Sequence, residues 1–241
     1  MSILIMPVIR QSSRRKSGRS SARNLAGRSY GGTSADQRSA ERRIKLMDAG
    51  LKVIGEIGYN AATVRTICAE AGLTERYFYE SFSNSEDLLC AVYTRIIEDA
   101  KHRALTALTA AGNHPEAMAR SVLREYFNLC RDPHVARVML FEVLGVSPRV
   151  DALYRQAMED FAELIRSSVN MNQRVRHLQA IDQGMLSAGL VGAVVQIAMR
   201  WVLGGYAQPL EAIISSAYTI FVAVNRQVFP ATDKVPQKPA R

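Results

Sequence analysis

Apolar positions recur at helical spacing along most of this chain. From Arg42 onward Ile44, Met47, Leu51 and Ile54 return at steps of three and four, with Gly58 as the expected stop, and they define a first helix. Thr63 is placed to cap a short second helix that turns Val64, Ile67, Cys68 and Ala71 inward. Gly72 permits a left-handed turn, and Thr74 is placed to cap a third helix with Phe78 and Phe82 one turn apart. No proline interrupts residues 85 to about 110, where Leu88, Leu89, Val92, Ile96 and Leu105 give one long helix its apolar side. Pro115, Pro133, Pro148 and Pro209 each precede an apolar-periodic run, as suits proline at a first helical position, and Asp132 and Ser147 precede two of them as caps. Alternating β-branched runs are missing. The pattern therefore predicts an all-α chain of about nine helices, without a sheet.

Charge divides the chain differently. The 241 residues carry a net charge of +9. Arg10, Arg14, Arg15, Lys16, Arg19, Arg23 and Arg28 supply seven of those charges in a Ser- and Gly-rich stretch with no acidic residue, so the remainder is close to neutral. Such a segment has too little apolar surface to offset the entropy of ordering it. The expected organisation is a disordered basic tail over residues 1–38, a helix-turn-helix domain over 39–84, a second helical domain over 85–228, and a flexible tail over 229–241. Nucleic acid becomes a natural partner for the basic tail.

Composition narrows the chemistry. At 48% hydrophobic the chain can fold without disulfides or a structural metal. Cys68, Cys90 and Cys130 are odd in number and form no CxxC pair, which fits reduced thiols in the cytoplasm. Residues 1–9 make a poor signal peptide, and the uncharged run over 183–199 reads as a fully buried helix rather than a bilayer span. His102, His114, His134 and His177 lack metal-ligand spacing, and there is no GxSxG, GxGxxG, Walker or HExxH motif. The expectation is a non-enzyme with no cofactor, no metal and no membrane contact.

The most informative segment is TVRTICAEAGLTERYFYESF, residues 63–82. Two short helices joined by a tight glycine turn make a helix-turn-helix, and Arg76 and Glu80 point away from the Phe78 and Phe82 side. Spacing alone leaves open a plain helical corner with a solvated outer face. The longer run GYNAATVRTICAEAGLTERYFYESFSNSEDLL, from Gly58, closely resembles the DNA-binding domain of the tetracycline-repressor (TetR) family. The likeness spans about residues 41 to 92. It implies an all-helical homodimer with three N-terminal helices on double-stranded DNA and a divergent C-terminal domain for a small-molecule effector. Carried onto matching positions, Thr63, Thr74 and Tyr79 would bond phosphates, Arg65 would reach the backbone, and Glu75, Arg76 and Tyr77 would face base edges. The sequence departs from many relatives in having Glu75 for a basic residue, Ser85 for lysine, and Arg76 and Tyr77 for small residues. Residues 39–84 hold six basic and six acidic side chains, so phosphate attraction there is weak.

Beyond residue 85 the likeness is one of layout. The last two long helices, expected over 187–203 and 209–228, are apolar on more than one face and are read as the dimer contact. Phe127, Met139, Phe141, Phe161 and Trp201 are the bulky candidates for an effector pocket, with Glu142 and Gln196 as polar groups that could orient a largely apolar ligand. Glu142 could equally pair with an arginine. The resulting expectation is a regulator, most readily a repressor, released from a palindromic operator by its effector. A helical small-molecule-binding protein or enzyme without specific DNA binding, and a nucleic-acid compaction protein using the tail, are the alternatives.

Overall fold

The computed structural model describes residues 34–112, 114–168 and 182–228. The basic stretch before residue 34 and the expected C-terminal tail over 229–241 lie outside them. Nine α-helices and no strand occur among the described residues: α1 (Ala35–Ile57), α2 (Val64–Ala71), α3 (Glu75–Ser81), α4 (Ser85–Ala110), α5 (Pro115–Leu129), α6 (Pro133–Leu140), α7 (Pro148–Ser168), α8 (Gln183–Leu203) and α9 (Leu210–Val228).

Helix α1 starts inside the expected tail. Ser34 and Gln37 form a capping box, the Ser34 hydroxyl accepting from the Gln37 N–H at 3.1 Å while the Gln37 side chain accepts from the Ser34 N–H at 2.8 Å. Its buried stripe is Leu46, Ala49, Gly50, Val53 and Ile54, with Met47 and Leu51 partly buried beside it; Ile44 is 53% exposed, which turns the expected inward set by about a third of a turn. The same correction applies to Leu105 on α4, which faces solvent. Proline begins α5, α6 and α7, and the Asp132 carboxylate accepts from the His134 and Val135 N–H groups at the start of α6.

Helices α1 to α3 and the first turns of α4 enclose one core, with Leu46, Ile67, Phe78, Phe82, Leu88 and Leu89 all nearly or fully buried. The rest of α4 packs lengthwise on α5 and beside α7, while α8 and α9 pack on α7 and α5. Helix α4 therefore belongs to both halves. Helix α6 is the second bridge, because it packs along α1.

Helix α8 is not fully buried, contrary to the expectation. It alone among the described helices is long and apolar enough to cross a membrane, and a third of its most apolar window is buried. Ala198 and Trp201 turn into the core, whereas Met185 and Leu203 are exposed and Gly189 and Gly192 face open space.

Candidate functional site

The helix-turn-helix forms as its sequence dictates. Thr63 caps α2, its hydroxyl accepting from the Thr66 N–H at 3.1 Å, and Gly72 takes the left-handed conformation at φ +63°. Thr74 occupies the cap position of α3 with extended backbone, yet its hydroxyl makes no cap bond. The oxygen is thus left free for another partner.

Side chains on the outer face of α3 are not equally available. Arg76 is 84% exposed, and its Nε donates to Glu80 at 3.1 Å. Glu80 also lies 3.7 Å from Arg42 of α1, whose guanidinium sits 4.5 Å from the centroid of the Tyr77 ring. Tyr77 is thereby half-buried against α1 instead of standing clear. Arg43 covers Phe82 at 4.1 Å and donates to the Ser81 carbonyl, fixing the end of α3. Glu75, Arg76 and Tyr79 are exposed, as are Thr63, Arg65 and Thr74, so six of the seven expected DNA-facing residues share an accessible surface. Tyr79 leans on the Phe78 ring edge at 5.4 Å.

The second feature is a cavity of about 410 Å³ lined by helices α4 to α9. Its lining on α4 runs from Ile97 to Leu108, on α5 from Pro115 to Tyr126 and on α7 from Tyr154 to Ile165. Each run covers eleven steps of helix, so the cavity extends about 16 Å at the α-helical rise. Among the described residues no charged side chain lines it; Tyr126 and Tyr154 bring the polar groups. The size suits a small-molecule ligand, and the walls suit an apolar one.

Two of the seven expected ligand residues, Met139 and Phe161, line this cavity. Five do not. Phe127 is fully buried and stacks edge-on against Trp201 at 6.0 Å, Trp201 donates its indole N–H to the Gln208 carbonyl, and Tyr206 packs on Trp201 at 5.0 Å. These aromatics are core between α5 and α8. Phe141 ends α6 half-buried, and Gln196 is exposed on the outer side of α8.

Glu142 has a different task. Its carboxylate accepts from the Tyr59 N–H at 2.8 Å and from Arg137 Nε at 2.8 Å, and Arg137 donates to the Glu56 carbonyl at 2.9 Å. The end of α6 thereby clasps the end of α1. Gly58, at φ +86°, leaves the room: a Cβ there would lie 3.0 to 3.3 Å from Arg137 and Glu142 atoms. One helix turn earlier, Gly55 lets α6 approach so closely that a Cβ would come within 2.6 Å of the His134 Cα. Met139 and Leu140 of the same short helix line the cavity, so cavity wall and clasp are one element. At the neighbouring bridge Arg149 of α7 pairs with Asp87 near the start of α4, and this contact holds the Asp87 carboxyl below the usual carboxylate range.

Known proteins resemble this chain in the helix-turn-helix segment and in the overall fold. Residues 46–92 match the family described as bacterial regulatory proteins, tetR family. The HTH-type transcriptional activator FasR of Mycolicibacterium smegmatis is 26% identical over 162 residues, which are 67% of this chain and 72% of that protein. The fatty acid metabolism regulator protein of Bacillus subtilis is 18% identical over 181 residues, 75% of this chain and 93% of that protein. Among solved structures, the transcriptional regulator FadR from Bacillus subtilis in complex with stearoyl-CoA superimposes with a TM-score of 0.65 at 18% identity, covering 75% of this chain and 97% of that one. A capped helix-turn-helix, a helical second domain and these likenesses agree: residues 46–92 form a DNA-binding domain of the tetR-family type, and the chain around them has the fold of TetR-family regulators.

Proposed function

We propose that this regulator responds to a long hydrocarbon chain, most naturally the acyl part of an acyl-CoA, bound in the cavity between α4 and α9. The observation that carries the reading is the long, uncharged cavity whose α6 wall continues into the Glu142 clasp on α1. The phosphates of a CoA thioester would stay outside such walls, since burying them unpaired is prohibitively costly. The stearoyl-CoA held by the Bacillus subtilis regulator of the same fold supports the choice of ligand class.

The binding unit is a homodimer through α8 and α9. Met185, Ala188, Gly189, Gly192, Gln196 and Leu203 recur at helical spacing along the exposed side of α8, a small and mostly apolar stripe that fits a second copy of itself. Two recognition helices then address half-sites about one DNA turn apart in a palindromic operator. Thr63, Thr74, Tyr79 and Arg65 hold the backbone, while Glu75, Arg76 and Tyr77 read base edges, Arg76 after exchanging Glu80 for a base. Ligand that favours the non-binding conformer by ~1–3 kcal/mol releases the operator, which gives repression in its absence.

The test starts from an operator selected out of a random DNA pool. Adding palmitoyl- or stearoyl-CoA should weaken its binding about ten-fold or more, and calorimetry should show one ligand per chain. DNA affinity indifferent to acyl-CoA, together with no heat of binding, would remove the ligand assignment and leave the DNA assignment standing. Loss of base discrimination at one position per half-site in Arg76→Ala checks the reading head.

A further inference from the structure

The cavity that the proposed function gives to an acyl chain is polar at one end. Tyr126 and Tyr154 stand where α5 and α7 come nearest the DNA-binding helices, and the described residues of the opposite end, around Leu108, Pro115 and Ile165, are hydrocarbon. A third tyrosine lies close to this end without itself lining the cavity. Tyr93 lies one turn before Ile97 on α4, is 1% exposed, and has a hydroxyl with no hydrogen-bond partner among the described residues. The pairs Asp87 with Arg149 and Lys101 with Asp160 set α4 and α7 side by side in a register that brings Tyr93 level with Tyr154.

Buried hydroxyls are nearly always bonded, so an orphan beside a cavity marks a place where something else is meant to bind. Tyr126 is already engaged with the Cys130 thiol, which leaves Tyr93 and Tyr154. Burial pushes all three phenols above their ordinary value, so each remains a neutral donor at any physiological pH. With no cationic side chain among the described lining residues, a carboxylate or phosphate at this end would be desolvated without a counter-charge.

We propose that the Tyr93 and Tyr154 hydroxyls form a polar subsite that receives an uncharged oxygen function, a hydroxyl or ketone, at the buried end of an otherwise hydrocarbon ligand. The proposal rests on the cavity being the effector site. It makes the regulator a discriminator between oxygenated and plain chains instead of a sensor of chain length alone. An apolar terminus leaves the Tyr93 oxygen unpaired; an oxygenated one satisfies it.

The experiment compares palmitoyl-CoA with its ω-hydroxy derivative by calorimetry and by release of labelled operator. The wild type should bind the ω-hydroxy thioester about three- to ten-fold more tightly, the range one net buried hydrogen bond supplies. Tyr93→Phe and Tyr154→Phe should each shrink that preference, and the double variant should reverse it. Tyr93→Phe removes only an unpaired oxygen, so its melting temperature should not fall and folding does not confound the comparison. Equal affinity of the wild type for both thioesters, or a preference untouched by the Phe variants, overturns the subsite while the acyl-CoA reading stands. Failure of both thioesters to bind overturns the effector reading and the subsite with it.

Discussion

Glu142→Ala should weaken the fold and disconnect the cavity from the DNA-binding helices. The carboxylate is 17% exposed and serves two donors, the Tyr59 N–H and Arg137 Nε, both at 2.8 Å. A net hydrogen bond to a charged group contributes ~1.5–3 kcal/mol, and the lost Tyr59 contact deserves most of that because its N–H is left without its acceptor. Arg137 is 40% exposed and rehydrates, so its share falls to ~0.5–1 kcal/mol. Together the loss is ~2–3 kcal/mol, or a drop in Tm of roughly 5–10 °C for a chain of this size. Glu142→Gln keeps an acceptor for Tyr59 and should lose about half as much. The sharper readout is coupling: an acyl-CoA that weakens operator binding about thirty-fold in the wild type should weaken it only a few-fold in Glu142→Ala. Thermal unfolding and fluorescence anisotropy of labelled operator, with and without ligand, measure both. An Ala variant with unchanged Tm and undiminished ligand response would show that the clasp transmits nothing.

Gly55→Ala should be more damaging than Gly50→Ala in thermal unfolding: the new methyl of the first meets His134 backbone at 2.6 Å, whereas that of the second meets the movable end of Leu88 at 2.8 Å. Overpacking of the first kind costs ~1–3 kcal/mol, more than the ~0.5–1 kcal/mol that alanine gains over glycine in a helix. Asp87, Asp160 and Glu211 all have carboxyls held below their ordinary values by basic partners, so their contribution is complete above the unfolded-state value of about 4 and is lost as pH falls through the lower folded-state values. Tm should therefore be level from neutral pH down to about 5 and decline below about 4, less steeply in Asp87→Asn. Cys68, Cys90 and Cys130 are buried with thiols pushed up, Cys130 to about 12, so iodoacetamide should label none of them in the native protein and all three after urea.

Helix positions and the turn at Gly72 were readable because they are set locally, by proline at a first turn, by caps such as Asp132 and Thr63, and by spacing. The start of α1 escaped notice because the Ser34 and Gln37 box is made of polar residues that also suit a disordered tail. Burial was less readable where neighbours decide it. Ile44 sits at helical spacing but faces solvent, since the partner helices meet α1 on the Leu46 and Val53 side. The cavity was least readable of all. Phe127 and Trp201 are as bulky as any ligand-binding residue, yet each finds its partner in the other. The walls instead include Ala100, Ala104 and Ala119, whose smallness carries no signal in a sequence. Glu142 shows the same limit in part: its sequence setting leaves open pairing with an arginine, which is what forms, but an acid in an apolar stretch names neither Arg137 nor the Tyr59 N–H.

Those alanines bear on how such a protein can change over generations. Every residue lining the cavity lies at or beyond Ile97, and every expected DNA-facing residue lies at or before Tyr79. If the cavity is the effector site, as proposed, a substitution that alters what the protein senses leaves its genomic address alone, and the reverse holds too. Enlarging Ala104 to leucine places a permanent, covalently attached occupant where a ligand would lie, and a duplicated gene with that change would inherit the same operators with the response already triggered. Shrinking Met118 or Phe161 opens room for bulkier molecules at the same operators. Under the proposed function, recognition of DNA and recognition of a ligand can thus evolve on separate parts of one polypeptide, joined through α4, α6 and the Glu142 and Arg149 contacts.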